Sequence, residues 1–379
     1  MADPRVRLSE PTVGEEEASA AARAVRDGHL VFGPDLEAFE AAVAESVGTP
    51  GAVAVSTGTA ALHLALLAVG VQPGDEVWVS DLTFISSANA ISYCGARLTL
   101  VDAEPESWNL DPAVVRSEIE RRAAAGEPMP RAVVPVHLLG HPADLESLLP
   151  LFAEHGIAVV EDAAEALGSS WQGGALDGRV PGSVGDAGIY SFNFNKPIST
   201  GGGGMVVAQD PAILARARHL GSQAKITGLD YCHDEIGFNY RMSNVAAALG
   251  VIQMQRLPGL IERRRAIADR YRDAFTPLGL GAGPDCAWAR RSGWLSSAVF
   301  PDSTVRAAVR AALADREIET RPIWTPMRLQ APYRDTPRLG GDVALDLYNR
   351  VLCLPCYAHL TPEHHDEVIA VVTDVVQRG

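Results

Sequence analysis

Five short apolar runs, at residues 52–55, 76–80, 98–101, 132–136 and 157–160, alternate along the chain with stretches whose apolar residues recur at helical spacing. A strand covered on both faces reads as an unbroken apolar run, and two such strands can lie parallel only if a crossover, usually a helix, joins them. The alternation therefore predicts an α/β fold with a mostly parallel sheet between helical layers. Sheets of this kind place ligands beyond the carboxyl ends of their strands. Ser56, Thr83, His137 and Asp162 all fall at such ends, so residues far apart in sequence are expected at one edge. His137 there is open to two readings, a contact to cofactor or substrate, or a buried histidine bonded to a nearby carbonyl.

Asp162 closes the string GIAVVED, and Lys196 follows 34 residues later in YSFNFNKPISTGGGGMVV. A lone lysine is usually a solvated surface residue. This one lies in an apolar, aromatic segment with Asn193 and Asn195 crowding it, ahead of four glycines that demand a tight turn or a close approach. The chain carries only a handful of lysines, arginine supplying most of its positive charge. An amine and a carboxylate in these positions are what pyridoxal phosphate chemistry requires. The amine condenses with the cofactor aldehyde, and the carboxylate keeps the pyridine nitrogen protonated so that the ring withdraws electrons. A third element, AVAVSTGTAALHLALLAVG, reads as a strand to Val55, a Ser56–Thr59 turn and a helix whose N-terminus can take a phosphate. Alone, that turn would be read as a helix cap. The chain has no GxxxxGK[ST] or GxGxxG string.

These elements and others in the same order resemble the DegT/DnrJ/EryC1/StrS family of PLP-dependent sugar aminotransferases. The resemblance runs nearly end to end, through FGP at 32–34, STGTAAL at 56–62, DLTFISSANAI, VHLLGHPADL, EDAAEALGS, SFNFNK, GFNYRMSNVAAALG and ETRPIWTPM. It implies a fold-type-I transferase of the aspartate aminotransferase superfamily. By the same resemblance Lys196 bonds the cofactor and moves protons, Asp162 pairs with the ring nitrogen, Phe84 stacks on the ring, and Gly58, Thr59 and Ser191 hold the phosphate. Glu165 is expected beside the cofactor. Asn239 and Arg241 match positions that reach across a dimer, to the cofactor phosphate and to anionic substrate groups. His137 and Arg321 complete the candidate substrate contacts. The chain departs from many relatives at Gly202, where Glu is common, and at Glu165, where His or Gln is common. Both departures, with SQAKITGLDYCHDE and LCLPCYAHLT, resemble a branch acting on nucleotide-linked 4-keto-6-deoxy sugars, although Ser-Gly-Ser is commoner where Cys356, Tyr357 and Ala358 stand. The activity implied is transfer of an amino group from an amino acid, glutamate being expected, to such a keto sugar. A keto-cyclitol or another keto sugar is an alternative acceptor. A PLP-binding regulatory protein is a third reading, and the intact lysine weighs against it.

A length of 379 residues, 47% of them hydrophobic, accommodates two domains. The expected division is a large PLP-binding domain, 1–254, and a smaller C-terminal α/β domain, 255–379, linked by an amphipathic helix through ERRRAIADRYRDAF. A net charge of −15 argues against nucleic acid or an anionic membrane surface as partner. No 18-residue uncharged apolar stretch occurs, and MADPRVRLSEP lacks the pattern of a signal peptide, so a cytoplasmic location is expected. Cys353 and Cys356 form a CxxC near His359, His364 and His365. A zinc site needs four converging ligands, and a single CxxC on a strand end reads instead as buried thiols, with no metal expected.

Overall fold

Val, Ile and Leu in the apolar runs are stiff or branched side chains that pack well on a pleated surface, and they form the strands expected of them. A computed structural model describes residues 4–378 apart from 227 and 229. The start of the N-terminal string, two positions of SQAKITGLDYCHDE and the last glycine therefore lie outside the described residues.

The first five strands are β1 Ala52–Val55, β2 Glu76–Ser80, β3 Arg97–Val101, β4 Ala132–Val134 and β5 Ala158–Asp162. β4 stops two residues short of the expected end because Pro135 has no N–H for the ladder. The chain nevertheless stays alongside β5, since the carbonyl of Pro135 accepts from Asp162 N at 2.9 Å. Further along come β6 Ser170–Trp171, β7 Ala187–Ser191, β8 Gly204–Val207, β9 Ala289–Arg290, β10 Ser296–Val299, β11 Arg321–Pro322, β12 Arg338–Leu339 and β13 Val351–Leu354.

Eight strands form the main sheet in the order β1-β8-β7-β5-β4-β2-β3-β12. β8 alone is antiparallel to its neighbours β1 and β7, and the remaining pairs are parallel. Its reversal has a local cause. β7 and β8 are joined directly by residues 192–203, without a crossover helix, and Ser191 pairs with Gly204. Lys196 sits in this connection, so the hairpin that reverses β8 is also what presents the amine.

The helix Gly58–Ala68 lies on the sheet with an unbroken buried run from Ala60 to Leu66. Each large apolar side chain removed from water there contributes roughly 1.5–3 kcal/mol. A second sheet, β10-β13-β11, and the helices Ser303–Ala314 and Pro362–Arg378 share a separate core around Phe275, Phe300, Leu313 and Val368. The 32-residue helix Asn244–Phe275 runs between the two cores, and the division expected after residue 254 falls inside it. Segments are also exchanged between the two cores. Val6 bridges Ile318 in the smaller unit, while β12 borders β3 at the edge of the large sheet. Among the described residues, no helix is long and apolar enough to cross a membrane.

Candidate active site

At the carboxyl ends of β1, β5 and β7, a cavity of about 420 Å³ is lined by Thr57, Gly58, Thr59, Asp162, Ser191 and Lys196, among others. That volume lies in the range of small-molecule sites, about 300–1,000 Å³.

One wall is the N-terminus of the helix Gly58–Ala68. Thr57 caps it, its side chain accepting from Ala60 N at 3.0 Å. The first N–H groups of a helix have no partner within it and carry the positive end of its dipole. Hydroxyls of Thr59 and Ser86 join them, 2.9 Å apart. Two glycines keep this wall open to backbone and ligand. A Cβ on Gly58 would lie 2.9 Å from Ser191 Cβ, and one on Gly204 would lie 2.7 Å from Gly58 N.

Asp162 ends β5 and is almost wholly buried. Its Oδ2 accepts from Ser87 Oγ at 2.7 Å and its Oδ1 from Ala164 N at 3.2 Å. Thr83 Oγ1 lies 2.9 Å from Ser87 Oγ, so two hydroxyls in series orient the carboxylate. Lys196 is 9% exposed. Burial holds its amine below the usual lysine range, and Glu165 and Asp162 oppose that shift. Glu165 Oε1 lies 3.6 Å from Lys196 Nζ, while its Oε2 accepts from Leu139 N at 2.7 Å. Burial also raises the Glu165 carboxyl above its ordinary value, against the pull of Lys196.

Phe84 is half exposed on the cavity wall, its ring centroid 5.0 Å from that of Trp324. Arg321, in β11, also lines the cavity and bonds Glu319 at 2.7 Å. The structure thus brings together Gly58, Thr59, Phe84, Asp162, Glu165, Ser191, Lys196 and Arg321.

His137 does not join them. It is fully buried, its Nδ1 accepts from Ala143 N at 3.0 Å, and its Nε2 therefore carries the proton donated to Glu161 Oε2 at 3.0 Å. Both ring nitrogens are committed inside the fold, which corrects the expectation of a ligand contact. The partners are a carboxylate and an amide rather than a carbonyl. Arg241 does not line its own chain's cavity either. A largely buried guanidinium needs a counter-charge, and Arg241 finds Glu40 at 2.8 Å. Asn239 is exposed and bridges Ser222, also away from this cavity. Cys353 and Cys356 are buried thiols, the Sγ of Cys356 donating to Gly293 O at 3.3 Å. Trp294, Trp324 and Ser87 were not found from the sequence. Ser87 lies in DLTFISSANAI and Trp324 in ETRPIWTPM, but neither string marks the residue that meets Asp162 or the lysine, and Trp294, far along the chain, lies in none of the motifs.

The donor set fits pyridoxal phosphate: helix N–H groups and hydroxyls for the phosphate, a carboxylate for the ring nitrogen, a buried amine for the aldehyde, and a glycine cradle that a Cβ would fill. A mostly parallel sheet with these groups at its strand ends is that of a fold-type-I PLP-dependent transferase. Residues 11–373 match the DegT/DnrJ/EryC1/StrS aminotransferase family, and the chain belongs to it. GDP-perosamine synthase of Caulobacter vibrioides is 37% identical over 346 residues, covering 89% of each chain. The solved structure of DesV from S. venezuelae is 33% identical with a TM-score of 0.87, covering 96% of this chain and 95% of that one. DesI, solved in the presence of its TDP-sugar product, is 28% identical with a TM-score of 0.88, covering 100% of this chain and 94% of that one. The protein is a PLP-dependent sugar aminotransferase.

Proposed function

We propose that the enzyme carries the amino group of glutamate to the ketone of a nucleotide-linked keto-deoxysugar, a 4-keto-6-deoxy sugar, working in the cytoplasm as a homodimer with shared active sites. The observation that carries the reaction is the meeting of Lys196 and Asp162 at one cavity beside a helix N-terminus. The sugar class is supported by the relatives, one named for GDP-perosamine and another solved with a TDP-sugar.

Pyridoxal phosphate supplies an aldehyde carbon that takes up the amino group and a ring that draws electrons from the adjacent carbon. Gly58 and Thr59 N–H groups and the Ser191 hydroxyl, which line the cavity, would hold its phosphate. Asp162, oriented by Ser87, is the counter-charge for the ring nitrogen, and a charge-assisted hydrogen bond of this kind is roughly twice as strong as a neutral one. The Lys196 Nζ takes the proton from the α-carbon of the donor and returns one in the transfer to the keto sugar. Because its amine is held below the ordinary lysine range, more of it is unprotonated near neutral pH than for a solvated lysine. Arg321, which lines the same cavity, is a cationic group for an anionic substrate.

The shared-site reading is supported by Asn239 and Arg241 lying away from their own chain's cavity. Mixing Lys196→Ala with Arg241→Ala subunits is expected to recover about half-site activity, because one site of each mixed dimer then keeps both residues. No recovery, with both parents folded and exchanging subunits, refutes sharing. The reaction is tested by single turnover. Glutamate is expected to convert stoichiometrically to 2-oxoglutarate without acceptor, and a panel of keto-sugar nucleotides then identifies the acceptor by loss of the aminated cofactor's absorbance. No 2-oxoglutarate from glutamate refutes the donor, and inertness toward every nucleotide-linked keto sugar refutes the acceptor class.

A further inference from the structure

Lys196 Nζ lies 3.9 Å from the centroid of the Trp294 ring, over its face. Trp294 is fully buried and fixed at two points. Its indole N–H donates to Asn195 O, the residue before the lysine, at 2.6 Å, and its own carbonyl accepts from the buried Arg264 at 2.8 Å. Trp324 stacks beside it, with centroids 6.0 Å apart and planes at 25°, and donates its indole N–H to Glu165 Oε1 at 3.1 Å. The amine is thus boxed by an indole face and a carboxylate that are themselves tied together. Trp gives the strongest cation–π attraction of the aromatic side chains, more so when desolvated.

We infer that Trp294 is a positioning residue for amino transfer, its indole face receiving the Lys196 ammonium each time the amine carries a proton between carbons. This rests on Lys196 being the proton-moving amine. The chemistry needs an amine that is basic enough to take a carbon-bound proton yet sits where water cannot stabilise the cation. Burial opposes the ammonium, and the ring offsets that without adding a second charge. The charged groups facing the same cavity are Glu165 and Asp162 from the segment around the end of β5 and Arg321 from β11. All three remain when the indole is replaced.

The test uses cofactor-free protein, labelled with limiting acetic anhydride across pH, with the Lys196 peptide quantified against that of Lys225, the chain's other lysine, which is exposed. In Trp294→Leu the midpoint for Lys196 acetylation is expected about one pH unit lower than in the parent. Trp294→Phe keeps a π face but has no N–H for Asn195, and its midpoint is expected to fall by less. In holoenzyme, Trp294→Leu is expected to slow the donor half-reaction about tenfold with the Michaelis constant for the donor unchanged. Should the leucine variant fail to fold, the phenylalanine midpoint decides. A midpoint equal to the parent's refutes the inference, whatever happens to activity. Borohydride fixation of cofactor on Lys196 in the parent is the independent control. Its failure refutes the proposed role of the lysine, whereas fixation with an unmoved midpoint refutes only that of Trp294.

Discussion

Replacing Glu161 with Gln changes one oxygen to an NH₂ at nearly constant volume, in a fully buried site. Oε1 accepts from Val184 N at 2.8 Å and Gly185 N at 2.7 Å, and Oε2 accepts from Gly182 N at 2.8 Å and His137 Nε2 at 3.0 Å. All four partners are donors. Whichever way the amide is turned, its NH₂ confronts two of them. A tautomer change at His137 gives no escape, since its Nδ1 would then meet Ala143 N–H. Each buried donor left unpaired costs about 1–3 kcal/mol, so Glu161→Gln is expected to lose about 4 kcal/mol. Against the ~5–15 kcal/mol typical of a folded protein, that is a large share. Urea denaturation of cofactor-free protein at one fixed chain concentration measures it, because bound cofactor and assembly add to apparent stability. A loss below about 1 kcal/mol would refute the reasoning and mean that water or a backbone shift satisfies the donors.

Asp162→Asn removes the counter-charge of the ring nitrogen, and single-turnover rates with a full complement of cofactor are expected to fall by at least about two orders of magnitude; near-normal rates would assign the ring nitrogen to another acid. Gly58→Ala forces a Cβ to within 2.9 Å of Ser191 Cβ, and fluorescence titration is expected to show cofactor binding about tenfold weaker, equal affinity indicating that Ser191 yields without loss. Burial lowers His63, His141 and His365 from their ordinary 6.5 to about 4. The unfolded chain therefore binds protons that the folded chain refuses, and stability is expected to fall as pH drops from about 6.5 toward 4. His63→Gln should make the fall of urea midpoints across that window shallower, and an unchanged slope would show that His63 is protonated in the fold.

The strands β1 to β5 were legible because each is buried on both faces and reads as an unbroken apolar run. Asp162 and Lys196 were legible for a different reason, a charged residue in an apolar setting being costly unless it is used. β6, β9, β11 and β12 were not, for each is two residues long and is defined by a distant partner rather than by its own side chains. His137 shows the limit at single-residue scale. Its place at a strand end was correctly anticipated, but whether its ring turns toward ligand or core was decided by Glu161 and Ala143, across the fold. Trp294 met Lys196 through a contact spanning 98 positions that no local pattern records.

The exchange of segments between the two cores bears on how the chain is made. A ribosome delivers β3 long before β12, so the outer edge of the large sheet must stay unpaired while more than two hundred residues emerge. Unpaired edges of this kind are where nascent chains join one another by mistake. β3 begins at Arg97, whose charged side chain is exposed there and opposes such pairing. When residues 327–339 arrive, Arg328 meets Asp81 and bonds Asp102 at 3.3 Å, just past the ends of β2 and β3, and Leu339 pairs with Val101. The early sheet therefore acquires its final border from a segment made more than two hundred residues later. A product that stops short of residue 339 lacks that border as well as the β13 centre of the smaller sheet, leaving quality control an exposed edge by which to recognise an unfinished molecule.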